Sequence, residues 1–179
     1  MKSKNIPLAQ FAFETKYLEG DNEELLESIS SHVGHLVYEF NLLEERLTSF
    51  LCELISHSND AKGLIITKGL GYSSKVDLFN RFIQHIQHVY QRQIEPHDVL
   101  IANLKDCAAK RNAVVHAEWS TIDLEGYAFV KLRISKRGIV QEFAQLDENS
   151  LITIRNTIIE TYNSFDDYED EYAKVIHCQ

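Results

Sequence analysis

Residues 33–54, VGHLVYEFNLLEERLTSFLCEL, decide the fold. Val33, Leu36, Val37, Phe40, Leu43, Leu47, Phe50, Leu51 and Leu54 recur at steps of three and four, with polar residues between them. That is the period of one face of an α-helix and not of a strand. The helix is predicted to run from about residue 22 to 56. Asp21 suits its N-cap, and Glu24, three residues on, completes a capping box. The serines between Ser28 and Ser31 are expected to break or kink its start.

Further helices follow. Asp60 is expected to cap a short helix through Leu70, ended by Gly71. Ser73 or Ser74 is expected to cap a helix through about Tyr90, with Val76, Phe79, Phe82, Ile83 and Ile86 as its stripe. Pro96 suits the first turn of the next helix, where a missing N–H costs nothing. That helix carries Leu100, Ile101, Leu104, Cys107, Ala108, Val114 and Val115. The period then shortens. Stretches 119–124 and 127–134 alternate around Glu125-Gly126, a second turn spans Ser135 to Gly138, and 139–143 forms a possible third strand. Asp147 is expected to cap a last helix with the stripe Ile154, Ile158, Tyr162, Phe165, Tyr172 and Ile176. The fold class is therefore mainly α: an antiparallel helical bundle with a small β-hairpin or three-strand insert before the last helix. Residues 1–20 read as an N-terminal extension and 21–179 as a single helical domain.

The 179 residues are 44% hydrophobic, enough for one domain with a core. A formal net charge of −9 argues against a general nucleic-acid coat protein, which would be basic, but leaves room for a local basic site. Cys52, Cys107 and Cys178 are odd in number and lack CxxC spacing, so neither a disulfide framework nor a zinc knuckle is expected. The N-terminal residues lead into no long apolar run, so no signal peptide or membrane span is expected, and a reducing cytoplasm is the default. There is no glycine-rich phosphate loop, GxSxG or HExxH.

Chemistry concentrates in Arg111-Asn112-Ala113-Val114-Val115-His116. The arginine is a fixed cation whose fork of donors fits a phosphate. The histidine gives or takes a proton near neutral pH. Together they point to phosphodiester chemistry without a metal or other cofactor. Arg92 to His97 and Arg81 to His88 share the loose spacing. The first is followed by Gln and contains Pro96, so it reads as a loop; the second is followed by Phe82 on an apolar helix stripe.

The motif, late in a helix after two others, resembles that of the HEPN superfamily, helical domains of prokaryotic ribonuclease toxins and defence proteins. That family's motif is Arg, four to six residues, then His, often with a polar residue after the Arg. Gly34, Asn41, Leu43, Glu44 and Leu47 resemble residues of the family's first helix. The resemblance covers roughly residues 31–119 and, weakly, the last helix. It implies a metal-independent endoribonuclease that leaves 2′,3′-cyclic phosphate ends, acting as a toxin or phage-defence effector. It also implies a homodimer that brings two motifs together, and an antitoxin or regulatory protein as partner. One toxin branch has a Tyr, two residues after the motif His, that a partner nucleotidyltransferase modifies; here Glu118 stands there, which speaks against that regulation.

On this reading Arg111 holds the phosphate, Asn112 orients substrate or His116, and His116 moves protons. Residues five apart on a helix differ by about 140° in direction, so Arg111 and His116 do not stack, whereas Asn112 and His116 do. Either the helix unwinds near His116, or the arginine reaches round, or two copies share the site. Glu44, with Asn41 on the same face, is the candidate to aim Arg111. Lys110, Lys131 and Arg133 are candidate RNA contacts; Tyr127, Phe129, Lys131 and Arg133 alternate onto one strand face that could stack and hold RNA.

Plainer readings exist for each. Arg111 and His116 would complement a helix end. Asn41 and Glu44 would form an ordinary polar edge, and the basic strand a packed hairpin with lysine blunting its edge. The pairs His32/His35 and His85/His88 lack an evident third ligand for a metal. The competing function is a catalytically silent helical module that binds a protein partner or RNA.

Overall fold

The computed structural model describes residues 1–8, 23–57, 59–123, 125–136 and 138–177. Its helices are α1 (Glu23–Ile55), α2 (Asp60–Thr67), α3 (Tyr72–Tyr90), α4 (His97–Val115) and α5 (Glu148–His177), and its strands β1 (Ser3–Pro7), β2 (Tyr127–Ser135) and β3 (Gly138–Gln145). The fold is mainly helical with one small antiparallel sheet, as the period change predicts. The chain divides into two compact units, Met1–Val37 with Ala109–Asn156, and Tyr38–Ala108 with Thr157–Gln179.

The first unit holds the sheet, in the order β1-β3-β2. Its third strand is not the stretch 119–124. Trp119–Thr121 is a turn of 3-10 helix, and Ser3–Pro7, read from sequence as part of an extension, pairs with β3 from Ser3↔Ala144 to Pro7↔Val140. The segment before β2 is fixed otherwise. The Glu118 N–H donates to the Phe129 carbonyl at 2.8 Å, and the Phe129 N–H donates to Thr121 Oγ1 at 2.8 Å. These bonds cover part of an open strand edge. Gly126 turns with φ +81°, and a Cβ there would lie 2.8 Å from the Asp147 Cβ, so glycine is required twice over. Asp147 caps α5 as expected, its Oδ1 accepting from the Ser150 N–H at 2.8 Å.

In the second unit, Phe50 on α1 packs edge-on against Phe79 of α3 (5.5 Å, 82°), Tyr168 of α5 (5.9 Å, 73°) and Tyr172 (5.4 Å, 74°). Leu43, Leu47, Leu51, Val76, Ile83, Leu104 and Ile158 are buried with them. His97 joins this core. Its Nε2 lies 2.8 Å from Asn80 Oδ1 and its Nδ1 2.9 Å from the Tyr168 hydroxyl. An amide oxygen only accepts, so Nε2 carries the proton and Nδ1 accepts from Tyr168. Burial lowers the His97 pKa and pushes the Tyr168 hydroxyl far up, so both stay neutral.

Several local expectations are corrected. The serines do not break α1: Ser30 Oγ donates to the Glu27 carbonyl at 2.8 Å and Ser31 Oγ to that of Ser28 at 3.3 Å, within a continuous helix. The Asp21 and Glu24 cap lies outside the residues whose side chains are described. Asn59, not Asp60, caps α2, accepting from the Ala61 N–H at 2.8 Å, and α2 stops at Thr67. Gly71 is the N-cap of α3, in place of Ser73 or Ser74. On α5, Thr161, Tyr168 and Val175 are buried where Tyr162 and Ile176 were expected. Thr161 is accommodated because its hydroxyl donates to the Thr157 carbonyl at 2.8 Å and receives the Cys107 thiol at 3.3 Å.

Candidate functional site

The Arg111-to-His116 stretch closes α4 within the first unit. Val114, fully buried, anchors the last turn. Arg111 is half-buried and Asn112 exposed. The Arg111 Nη1 donates to Asn112 Oδ1 at 3.1 Å. His116 is the first residue past the helix, and its ring is exposed. Its N–H still donates to the Asn112 carbonyl at 3.0 Å, so the α-type bond continues one residue beyond α4. The backbone therefore does not unwind ahead of His116. Beyond it, the Glu118–Phe129 bridge ties the chain to the sheet. Asn112 is thus the common element: its side chain holds the cation and its carbonyl holds the histidine's backbone. Neighbouring Lys110 is half-buried.

Asn41 and Glu44 lie on α1 in the second unit, lining a cleft of about 590 Å³ with Thr48, Ser49, Leu64 and Lys75. Glu44 Oε1 accepts from Lys75 Nζ at 2.7 Å, and the largely buried ammonium neutralises it. The Thr48 hydroxyl donates to the Glu44 carbonyl at 2.7 Å. Lys75 was not picked out from sequence; it lies on a different helix, and no local pattern marks the pair.

On β2 the register corrects the expected aromatic and basic face. Phe129 pairs with Phe143, but Lys131 pairs with Glu142, leaving Val130 as an extra, bulged residue. One inserted residue inverts the alternation beyond it. Tyr127 and Phe129 therefore share a face with Leu132 and Ile134, while Lys131 and Arg133 lie on the opposite face with Glu142. Arg133 Nε donates to Glu142 Oε2, and Lys131 Nζ stands 3.6 Å from the same oxygen. The Arg133 hydrogen bond, with help from Lys131, holds the Glu142 carboxyl below its ordinary range. On the aromatic face, Lys4 Nζ sits 3.7 Å from the Tyr127 ring centroid.

Among the described residues, no three His, Cys, Asp or Glu side chains gather to hold a metal ion. Cys52 and Cys107 are buried and form no disulfide with each other; Cys178 lies outside the described residues. Among the described residues, no helix is long and apolar enough to cross a membrane. Comparison with protein-family models, curated proteins and solved structures finds no match.

Proposed function

We propose that this chain is a HEPN-type, metal-independent endoribonuclease working as a homodimer, in the role of a toxin or phage-defence effector. The observation that carries the reading is the tethered set at the end of α4, with Arg111 bonded to Asn112, and His116 exposed one residue beyond the helix. A half-buried guanidinium with an orienting amide suits a phosphate, and an exposed imidazole suits proton transfer.

The ribose 2′-oxygen attacks phosphorus, forming the 2′-O–P bond while the P–O5′ bond breaks. One His116 accepts the 2′-OH proton, and the other copy's His116 delivers a proton to the leaving 5′-oxygen. Imidazole is the side chain suited to serve as either base or acid near neutral pH. Arg111 stabilises the added charge on the phosphoryl oxygens. Two copies supply both histidines from one gene product by symmetry. Substituting 2′-deoxyribose at the scissile nucleotide tests this reading: cleavage there stops while flanking cleavage persists. Continued cutting at the deoxy position contradicts it.

A further inference from the structure

Gln84, Gln87 and His88 recur at i, i+3 and i+4 along the end of α3, and Gln91 is its left-handed C-cap. With Gln93 and Asp98 they line a cleft of about 410 Å³. That lies within the roughly 300–1,000 Å³ of small-molecule sites. Among the described residues the lining holds no lysine or arginine and carries the Asp98 carboxylate, so it does not suit a phosphate.

Two of the amides are already oriented. Gln87 Oε1 accepts from the Ile94 N–H at 2.7 Å, which leaves its amide N–H groups as donors. Gln91 Nε2 donates to the His88 carbonyl at 2.6 Å, which leaves its oxygen as acceptor. The Asp98 carboxylate accepts twice and donates nothing. Gln91 is also the single non-glycine residue with positive φ among the described residues, at 52°. Glycine would hold that left-handed position at lower cost.

We propose that this cleft binds the edge of a guanine-type base. The N1–H and one N2–H of guanine donate to Asp98, the second N2–H donates to the Gln91 side-chain oxygen, its O6 accepts from the Gln87 amide, and the flat His88 ring offers a stacking surface. Adenine, cytosine and uracil each set an acceptor beside their edge donor, and that acceptor would face a carboxylate oxygen. The inference is independent of the ribonuclease reading. The same edge occurs in free guanosine and in a guanine of single-stranded RNA.

The test is calorimetric titration of the full chain with guanosine, inosine and adenosine, and with non-cleavable 2′-O-methyl oligonucleotides that do or do not contain guanine. A guanine-containing ligand should bind, inosine (lacking the N2 amine) more weakly than guanosine, and adenosine not measurably. Response to guanosine assigns a free nucleoside as ligand; response to the guanine oligonucleotide alone assigns a base within RNA. Asp98→Asn should weaken binding by about 5- to 100-fold, the range of a bidentate base contact. Gln91→Gly should melt about 2–4 °C higher, with the strain relieved, yet bind more weakly. That pairing separates lost recognition from lost folding. No response to any guanine ligand at millimolar concentration, equal response to adenosine, or unchanged binding in both folded variants overturns the proposal.

Discussion

The Arg111 guanidinium donates to the Asn112 side-chain oxygen at 3.1 Å, while the Asn112 carbonyl receives the N–H of His116 at 3.0 Å. One residue so contacts both members of the proposed site, Arg111 through its side chain and the His116 backbone through its carbonyl. Asn112→Ala keeps that carbonyl and removes only the side-chain tether. If the proposed ribonuclease reading holds, the expected outcome is a fall in kcat of roughly 10- to 100-fold, since small misplacement of a catalytic group costs about that much. The melting temperature should barely move, because Asn112 is exposed. Single-turnover cleavage rates together with thermal melts check it.

His97 is neutral in a buried bond chain with Asn80 and Tyr168. Its native pKa is lowered by burial, so below the unfolded value of about 6.5 the unfolded state binds more protons than the native state. Stability should therefore be full above that pH, and fall as pH drops from about 6.5 toward the lowered native pKa. Tyr168→Phe removes the hydroxyl that satisfies Nδ1 and should cost about 1–3 kcal/mol. Urea melts between pH 5 and 7.5, on wild type and variant, measure both effects.

Gly63 on α2 lies against Cys52 of α1 so closely that a Cβ would stand 2.5 Å from the Cys52 Cα. The obstacle is backbone, which cannot turn aside. Gly63→Ala should destabilise by about 1–3 kcal/mol, the usual cost of overpacking, despite alanine's better helix propensity. A denaturant midpoint equal to or above wild type would contradict this packing.

Glu142 pairs with both Lys131 and Arg133 on one face of the sheet, offsetting one of their two charges. Glu142→Gln should strengthen non-specific RNA binding and steepen its salt dependence, because two released cations become available to phosphates. The stability cost should stay near 1 kcal/mol or less, since both cations are well exposed. Filter binding across a salt series reads the first effect. An unchanged salt slope would show that this face does not meet RNA.

The helices were legible because their stripes repeat within each segment: Leu36, Phe40, Leu43, Leu47 and Phe50 were all read as core and are buried. The hairpin was legible from the alternation of 127–134 and the turn between Ser135 and Gly138. What failed depends on partners distant in sequence or on a single backbone step. Ser3–Pro7 carries no apolar alternation, and only its pairing with β3 makes it a strand. The bulge at Val130 has no glycine or proline to announce it, yet it moves two cations across the sheet. Of the candidate site, the Arg111-to-His116 spacing was readable from the helix repeat. The Asn112 tether needs rotamers, and the Glu44–Lys75 pair joins residues 31 positions apart.

The central claim is that His116 and Arg111 cut RNA without a metal. The direct measurement is cleavage of end-labelled single-stranded RNA in EDTA by wild type, His116→Ala and Arg111→Ala, each confirmed folded. The account predicts 2′,3′-cyclic phosphate ends from wild type, and rates lower by at least about 100-fold in both variants, the scale of lost acid–base or electrostatic catalysis. Equal cleavage by all three proteins, or none by folded wild type across several RNAs, would contradict it.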